Sequence, residues 1–182
     1  MSRRHALVVL PLVVLFAALV GCTGATRIPP PEPSTAVEPL FASDEEALEA
    51  ATEAYEEYLA VLDGLLQAPL EVDGAFDSVA SGQALQLAEE SVQKFLDDVV
   101  RISGPRVVGS VELQQLIVDE EATEVILYVC EDLSGIVLLD SGGNSLTTPD
   151  RPNYSIFQIV VSFGHDGGRV VDRQFWSNET SC

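Results

Sequence analysis

Cationic side chains are scarce in this 182-residue sequence: nine Lys and Arg stand against 29 Asp and Glu, for a net charge of −20. Lys94 is the only lysine. Nucleic-acid binding rests on lysine and arginine meeting phosphates, so that class of partner is excluded. The same deficit argues against a domain lying flat on anionic lipid. Histidine is almost missing, with only His5 and His165, and cysteine occurs three times. That is too small a ligand supply for a metal site. No glycine–serine elbow offers a hydrolase nucleophile. No internal repeat is present, and no apolar run reaches the roughly 20 residues of a membrane-spanning helix.

What is present begins at the N-terminus. Arg3 and Arg4 are followed by an apolar stretch from Ala6 to Val20, about 15 residues broken only by Pro11. It closes on Leu19-Val20-Gly21-Cys22. These residues resemble a bacterial lipobox. The resemblance implies cleavage between Gly21 and Cys22, after the cysteine thiol has received a diacylglyceryl group. Residues 1–21 are thus expected to be a lipoprotein signal peptide, and Cys22 an acylated, palmitate-bearing N-terminus. The expected location is the cell membrane, lipid-anchored on the extracytoplasmic side. Ser2-Arg3-Arg4 also touches the twin-arginine motif, but Ala6 stands where that motif carries phenylalanine, so general secretion is the expected route. Removal of Arg3 and Arg4 with a leader that holds no acids takes the net charge from −20 to −22.

Residues 22–42 read as a tether. Pro29-Pro30-Pro31-Glu32-Pro33 and Pro39 favour extended polyproline II at about 3.1 Å per residue. Some tens of ångströms of reach exceed the Debye length of about 8 Å, which holds an acidic domain clear of an anionic leaflet. Export also decides how the cysteines are read. With Cys22 acylated, Cys130 and Cys182 remain as an even pair in an oxidising compartment, and a disulfide is expected between them.

Residues 43–182 suffice for a single domain with a core. Ser43-Asp44-Glu45-Glu46 forms a capping box. Leu48, Ala51, Tyr55, Tyr58, Leu62 and Leu65 then recur at helical spacing, predicting a helix to about Gln67. A second helix is predicted from about Gln83, with Leu85, Ala88, Val92, Phe95, Val99 and Ile102 as its stripe, ended by Gly104-Pro105. From Arg106 the pattern becomes β-branched. Strands are predicted at 107–118, 123–130, 136–139, 154–163 and 170–176, with turns at Asp119-Glu120-Glu121, Asp140 to Asn144 and His165 to Gly168. The expected fold class is α+β: two to three N-terminal helices packed on a curved antiparallel sheet of about five strands. Val125, Leu127 and Val129 should face the helices, and Glu124, Ile126 and Tyr128 the other side.

Helices followed by a curved antiparallel meander resemble the cone-shaped superfamily of nuclear transport factor two and SnoaL-like proteins. Cys130-Glu131-Asp132-Leu133-Ser134, the terminal cysteine and the lipobox together resemble small actinobacterial lipoproteins of that fold. The resemblance implies a pocket between helices and sheet, used variously for catalysis, small-molecule binding or dimerisation.

Ketosteroid-isomerase-like members use an aspartate base facing a tyrosine. The nearest ingredients are Asp132, Asp140, Asp172, Tyr55, Tyr58 and Tyr128. No spacing ties them together. Asp132 and Asp140 border turns, where aspartate caps backbone amides, Asp172 alternates outward on a strand, and the tyrosines suit a core edge with wet hydroxyls. His165 reads as an exposed loop residue. Asp140 to Asn144 lacks the alternating acids of a calcium loop. No catalytic, cofactor-binding or metal-ligating residues are assigned, and no cofactor is expected. The leading reading is an envelope lipoprotein, non-enzymatic, binding a small apolar ligand or a protein partner, with a homodimer as one form. The alternative is a lipid-anchored enzyme acting on a small molecule in the cone pocket.

Overall fold

A computed structural model describes residues 39–68, 72–119 and 121–182. Cys22 and the tether as far as residue 38 lie outside the described residues. The first helix, α1 (Asp44–Gln67), starts as its sequence dictates. Ser43 is extended and its hydroxyl accepts from the Glu46 N–H, while the Glu46 carboxylate accepts from the Ala42 N–H at 2.7 Å. Asp44, Glu45 and Glu46 place negative charge at the positive end of the helix dipole. Ala47, Ala51, Ala54, Tyr55, Tyr58, Leu59, Leu62 and Leu66 are buried, while Leu48 and Leu65 only flank the core. Three alanines on the buried face let the helix backbone approach the sheet closely.

The second helix, α2 (Gly82–Asp98), is shorter than its apolar spacing predicts. It stops at Val99, which adopts a left-handed conformation (φ 52°) and is 62% exposed. Ile102 is buried, but on a strand, β1 (Arg101–Ser103). That strand pairs antiparallel with β4 (Val137–Leu139), Ile102 opposite Leu138. The reason is competition: Val99-Val100 is a poor helix continuation, and pairing with a strand some 35 residues away satisfies the backbone instead. Gly104 makes the turn that follows. A Cβ there would stand 2.0 Å from the Gly135 carbonyl oxygen, so the chain crossing requires glycine.

The main sheet holds β2 (Val107–Val118), β3 (Thr123–Asp132), β5 (Tyr154–Gly164) and β6 (Gly167–Glu179), all antiparallel in the order β2-β3-β5-β6. The architecture is α+β as predicted. One of the five expected strands, β4, leaves the meander to pair with β1 in a separate two-stranded sheet. The expected alternation holds. Val125, Leu127 and Val129 are fully buried against the helices, and Ile126 and Tyr128 are half-buried on the outer face. Leu127 lies opposite Leu113 on one side and Ile159 on the other. Register shifts near Gln114, Trp176 and Val171 mark bulges, which bend and twist a sheet. α2 attaches to the edge strand through Ala80 and Val170, where Ser81 N–H donates to the Val170 carbonyl.

Cys130 and Cys182 are bonded, with Cα atoms 5.5 Å apart. Because β6 is the edge strand and Cys130 sits on β3, the last three residues cross β5 on the outer face. Their end comes to rest above Gly109 of β2, where a Cβ would lie 2.6 Å from the Cys182 Cβ. The sequence separation of 52 makes the bridge worth about 4 kcal/mol by loop closure. Cys182→Ser is therefore expected to lower unfolding stability by about that amount, read from urea midpoints. Gly109→Ala should destabilise by about 1–3 kcal/mol through overpacking, and by much less in the Cys182→Ser background, where the tail can move away. Full additivity of the two changes would show that the tail does not rest on Gly109.

Candidate functional site

β3 carries one residue that breaks its apolar inner face. Glu131 continues the alternation Val125, Leu127, Val129 and points at the core, with 0% exposure. Among the described residues it is the only charged one that is buried. A lone carboxylate there would cost several kcal/mol, so it must be paired. The fold brings three donors to it, and a second carboxylate, Asp63, to one of them. Tyr55 and Asp63 come from α1, Arg106 from the residue before β2, and Arg173 from the inner face of β6 opposite Ile159.

The geometry is saturated. Glu131 Oε1 accepts from the Tyr55 hydroxyl and from Arg173 Nη2 at 2.7 Å, and Oε2 accepts from Arg106 Nη1 at 2.5 Å. Arg173 Nε donates to the Tyr55 oxygen at 2.9 Å, so that hydroxyl both accepts and donates. Arg106 grips Asp63 with two bonds, Nη2 to Oδ1 at 2.8 Å and Nε to Oδ2 at 3.2 Å. The Arg173 guanidinium lies over the Phe157 ring, 3.6 Å from its centroid. Tyr58 stacks on Tyr55 with centroids 5.9 Å apart, and Phe76 packs beyond it at 6.2 Å.

Two carboxylates and two guanidiniums make the cluster neutral. Burial pushes the Glu131 carboxyl up, but Arg173 and Arg106 outweigh it and hold the group below its ordinary value of 4.5. Burial, with Glu131 adjacent, raises the Tyr55 phenol well above its usual range, so the proton between the two stays on the tyrosine. Burial alone would lower the Arg106 guanidinium, but Glu131 and then Asp63 outweigh it and raise the group. The Tyr55 hydroxyl is thus not at a wet core edge, as the sequence suggested; it is dry and committed to Glu131. Tyr58 is likewise buried, and burial raises its phenol. An ionised carboxylate with three donors has no proton to give. Its chemistry is that of a structural tie.

The other predicted residues stay apart. Asp132 accepts from the Ser134 N–H and Asp140 from the Asn144 N–H, each at 2.8 Å, and both are turn caps. Asp172 lies on the outer face, where it accepts from Gln174 Nε2 at 2.7 Å. Tyr128 is on that outer face too, against Trp176. His165 is exposed in the β5–β6 turn. Among the described residues no group of three or more His, Cys, Asp or Glu could hold a metal ion, and no helix is long and apolar enough to cross a membrane. A cleft of about 350 Å³ between α1 and the start of β2 has Asp63 and Arg106 in its wall beside Leu59 and Val107.

Glu131 was legible in principle. It falls in phase with Val125, Leu127 and Val129, and Arg173 falls in phase with Phe175 on the inner face of β6. The arginines and Tyr55 that satisfy Glu131 lie 25, 42 and 76 residues away, a pairing no local pattern carries.

No family model matches the sequence, and no curated protein matches it. A solved structure does resemble it. The crystal structure of the intermembrane space region of chloroplast protein ARC6 superposes with a TM-score of 0.54 at 10% identity, over 72% of this chain and 97% of that one. At that identity the likeness is one of fold alone.

Because Glu131 titrates lower in the folded chain than in the unfolded one, protonation favours unfolding. Its contribution is complete above about pH 4.5 and fades as pH falls through the folded value. Glu131→Gln removes the negative charge that Arg173 and Arg106 share, leaving Arg106 with Asp63 alone, and should cost about 3–5 kcal/mol at pH 7. The gap from the parent chain should narrow below pH 4.5 in urea unfolding. Tyr55→Phe should cost about 1–3 kcal/mol with little pH dependence across that window. A Glu131→Gln penalty that is constant from pH 7 to pH 3 would contradict the ionised cluster.

Proposed function

We propose that this chain is an exported lipoprotein, held by acyl chains on Cys22 at the extracytoplasmic face of the cell membrane, whose folded domain is a non-enzymatic binding or interaction module. The anchor rests on Leu19-Val20-Gly21-Cys22 and the charged, apolar run before it. One observation carries the module reading. Where a cone-shaped relative of nuclear transport factor two would keep a pocket between helices and sheet, Tyr55, Tyr58, Phe76, Leu127 and Ile159 fill the space. The polar groups converging there, around Glu131, are neutral and bonded to one another.

A lipid-anchored enzyme of the ketosteroid-isomerase kind would need an aspartate facing a tyrosine across an apolar pocket. Asp132 is instead engaged with Ser134, and Asp172 lies on the opposite side of the sheet from Tyr55 and Tyr58. The domain, at the end of a proline-rich tether, presents surfaces and not a reaction chamber. Fold likeness alone does not choose a function, and the reading stands on these residues.

Metabolic labelling with a fatty acid tests the anchor. The parent chain should incorporate label and appear as the cleaved form. Cys22→Ser should be unlabelled and retain the leader. Label on the Cys22→Ser chain would sink the lipobox reading.

A further inference from the structure

The sheet face turned away from the helices carries the chain's single tryptophan. Trp176 is the extra residue of a bulge: Phe175 pairs with Phe157 and Ser177 with Ile156, and Trp176 stands out between them, 60% exposed. From edge strand β6 it reaches across β5 to Tyr128 on β3, with ring centroids 5.1 Å apart and planes tilted by 53°. Glu112, Tyr128, Gln158 and Gln174 lie abreast on the four strands beside it. Gln158 Nε2 donates to Gln114 Oε1 at 2.8 Å and to the Tyr128 hydroxyl at 3.4 Å. A cleft of about 150 Å³ is lined by Ser110, Glu112, Tyr128, Cys130, Ile156 and Trp176. The disulfide-tied C-terminus closes one end of this face over Gly109.

We propose that this face is a saccharide-binding platform, on which a neutral sugar ring of a glycan stacks against Trp176 and is hydrogen-bonded by Glu112, Gln114 and Gln158. The proposal rests on the binding-module reading and specifies its ligand class. The exposed indole and the Tyr128 ring against it form a continuous aromatic surface in water with polar groups at its edge. Its surroundings are mixed: Tyr128 and Ile156 line the cleft with Ser110 and Glu112, and the Gln158 and Gln114 amides lie next to Tyr128, so donors and acceptors border the aromatic surface. Sugars match that mixture, with apolar C–H faces and hydroxyls that both donate and accept. The cleft is ring-sized, well below the roughly 300–1,000 Å³ of a pocket that encloses a whole drug-sized ligand.

Other ligand classes fit less well. A net charge of −20 and the carboxylates of Glu112 and Asp172 repel polyanions. A quaternary ammonium wants rings standing apart as a cage, whereas Trp176 and Tyr128 touch each other. A protein interface is depleted of charge at its core and buries about 800 Å² per partner, whereas the Glu112 carboxylate stands directly beside this aromatic pair. The Cys130–Cys182 bond ties the tail to β3 at one end of the platform, and a tethered surface lowers the ordering cost of binding.

The lone tryptophan makes the test direct. The full chain, purified in a detergent without a sugar headgroup, is titrated with N-acetylchitotriose, xylotriose and maltotriose while Trp176 fluorescence is followed. At least one of them should change the emission saturably, with a midpoint at about 1 mM or below. Gln158→Ala should raise that midpoint about 10-fold without moving the thermal transition. Trp176→Ala should abolish the binding heat by calorimetry in a chain that stays folded. The proposal is overturned by the absence of a saturable response to all three sugars, or by a response to choline in their place. It is also overturned if emission changes only with protein concentration and a dimer sediments, which would assign the face to a second copy. Any of these outcomes leaves acyl labelling at Cys22 unaffected, so the two readings fail separately.

Discussion

The burial of one carboxylate organises this domain. Glu131 has no water to solvate it, and the surrounding structure must deliver cations to it. Arg106 arrives from the loop that leaves β1, Arg173 from the far edge of the sheet, and the Tyr55 hydroxyl from the helix above. Arg106 then holds Asp63, two turns of helix beyond Tyr55. α1 is thereby tied to the sheet at two points along its length, and its position along the strands is set by hydrogen bonds as well as by apolar contact. Hydrophobic packing alone is non-directional. The cluster supplies direction, at the expense of desolvating four charges.

That arrangement divides the sheet into two unlike faces. The inner face is filled, with Leu127, Val129 and Ile159 under α1 and the polar cluster bonded to itself, Asp63 and Arg106 reaching the wall of the cleft beside β2. The outer face keeps its aromatic pair, its row of amides and the disulfide-bound tail open to solvent. With the helix side filled, the surface that the sheet leaves open to solvent is the opposite one. The bulge at Trp176 contributes to the same end, since an unpaired residue on an edge strand is free to lean across its neighbours.

Where periodicity was the signal, the sequence was readable. Leu127 and Tyr128 face opposite sides because successive side chains alternate on any strand, and Ser43 starts α1 because a hydroxyl in that position satisfies an orphan N–H. With Cys22 set aside as the expected acylation site, Cys130 and Cys182 remained to pair with each other, and they are bonded. Periodicity misled at Val99 and Ile102, whose helical spacing continued past the helix end. A strand pairing with Val137 to Leu139 competed there, and its partner is invisible to a local window.

The sequence by itself determined most of the element types, the two sides of β3, the disulfide once Cys22 is set aside, and the strongly acidic, lysine-poor character. These follow from local backbone geometry, cysteine parity and composition. Only the tertiary structure decided that β4 would leave the meander, that Glu131 would be ionised between two arginines, and that Trp176 would lie on Tyr128 across an intervening strand. Each of these depends on groups brought together from distant parts of the chain, and long-range pairing energies are not written in any short stretch of residues.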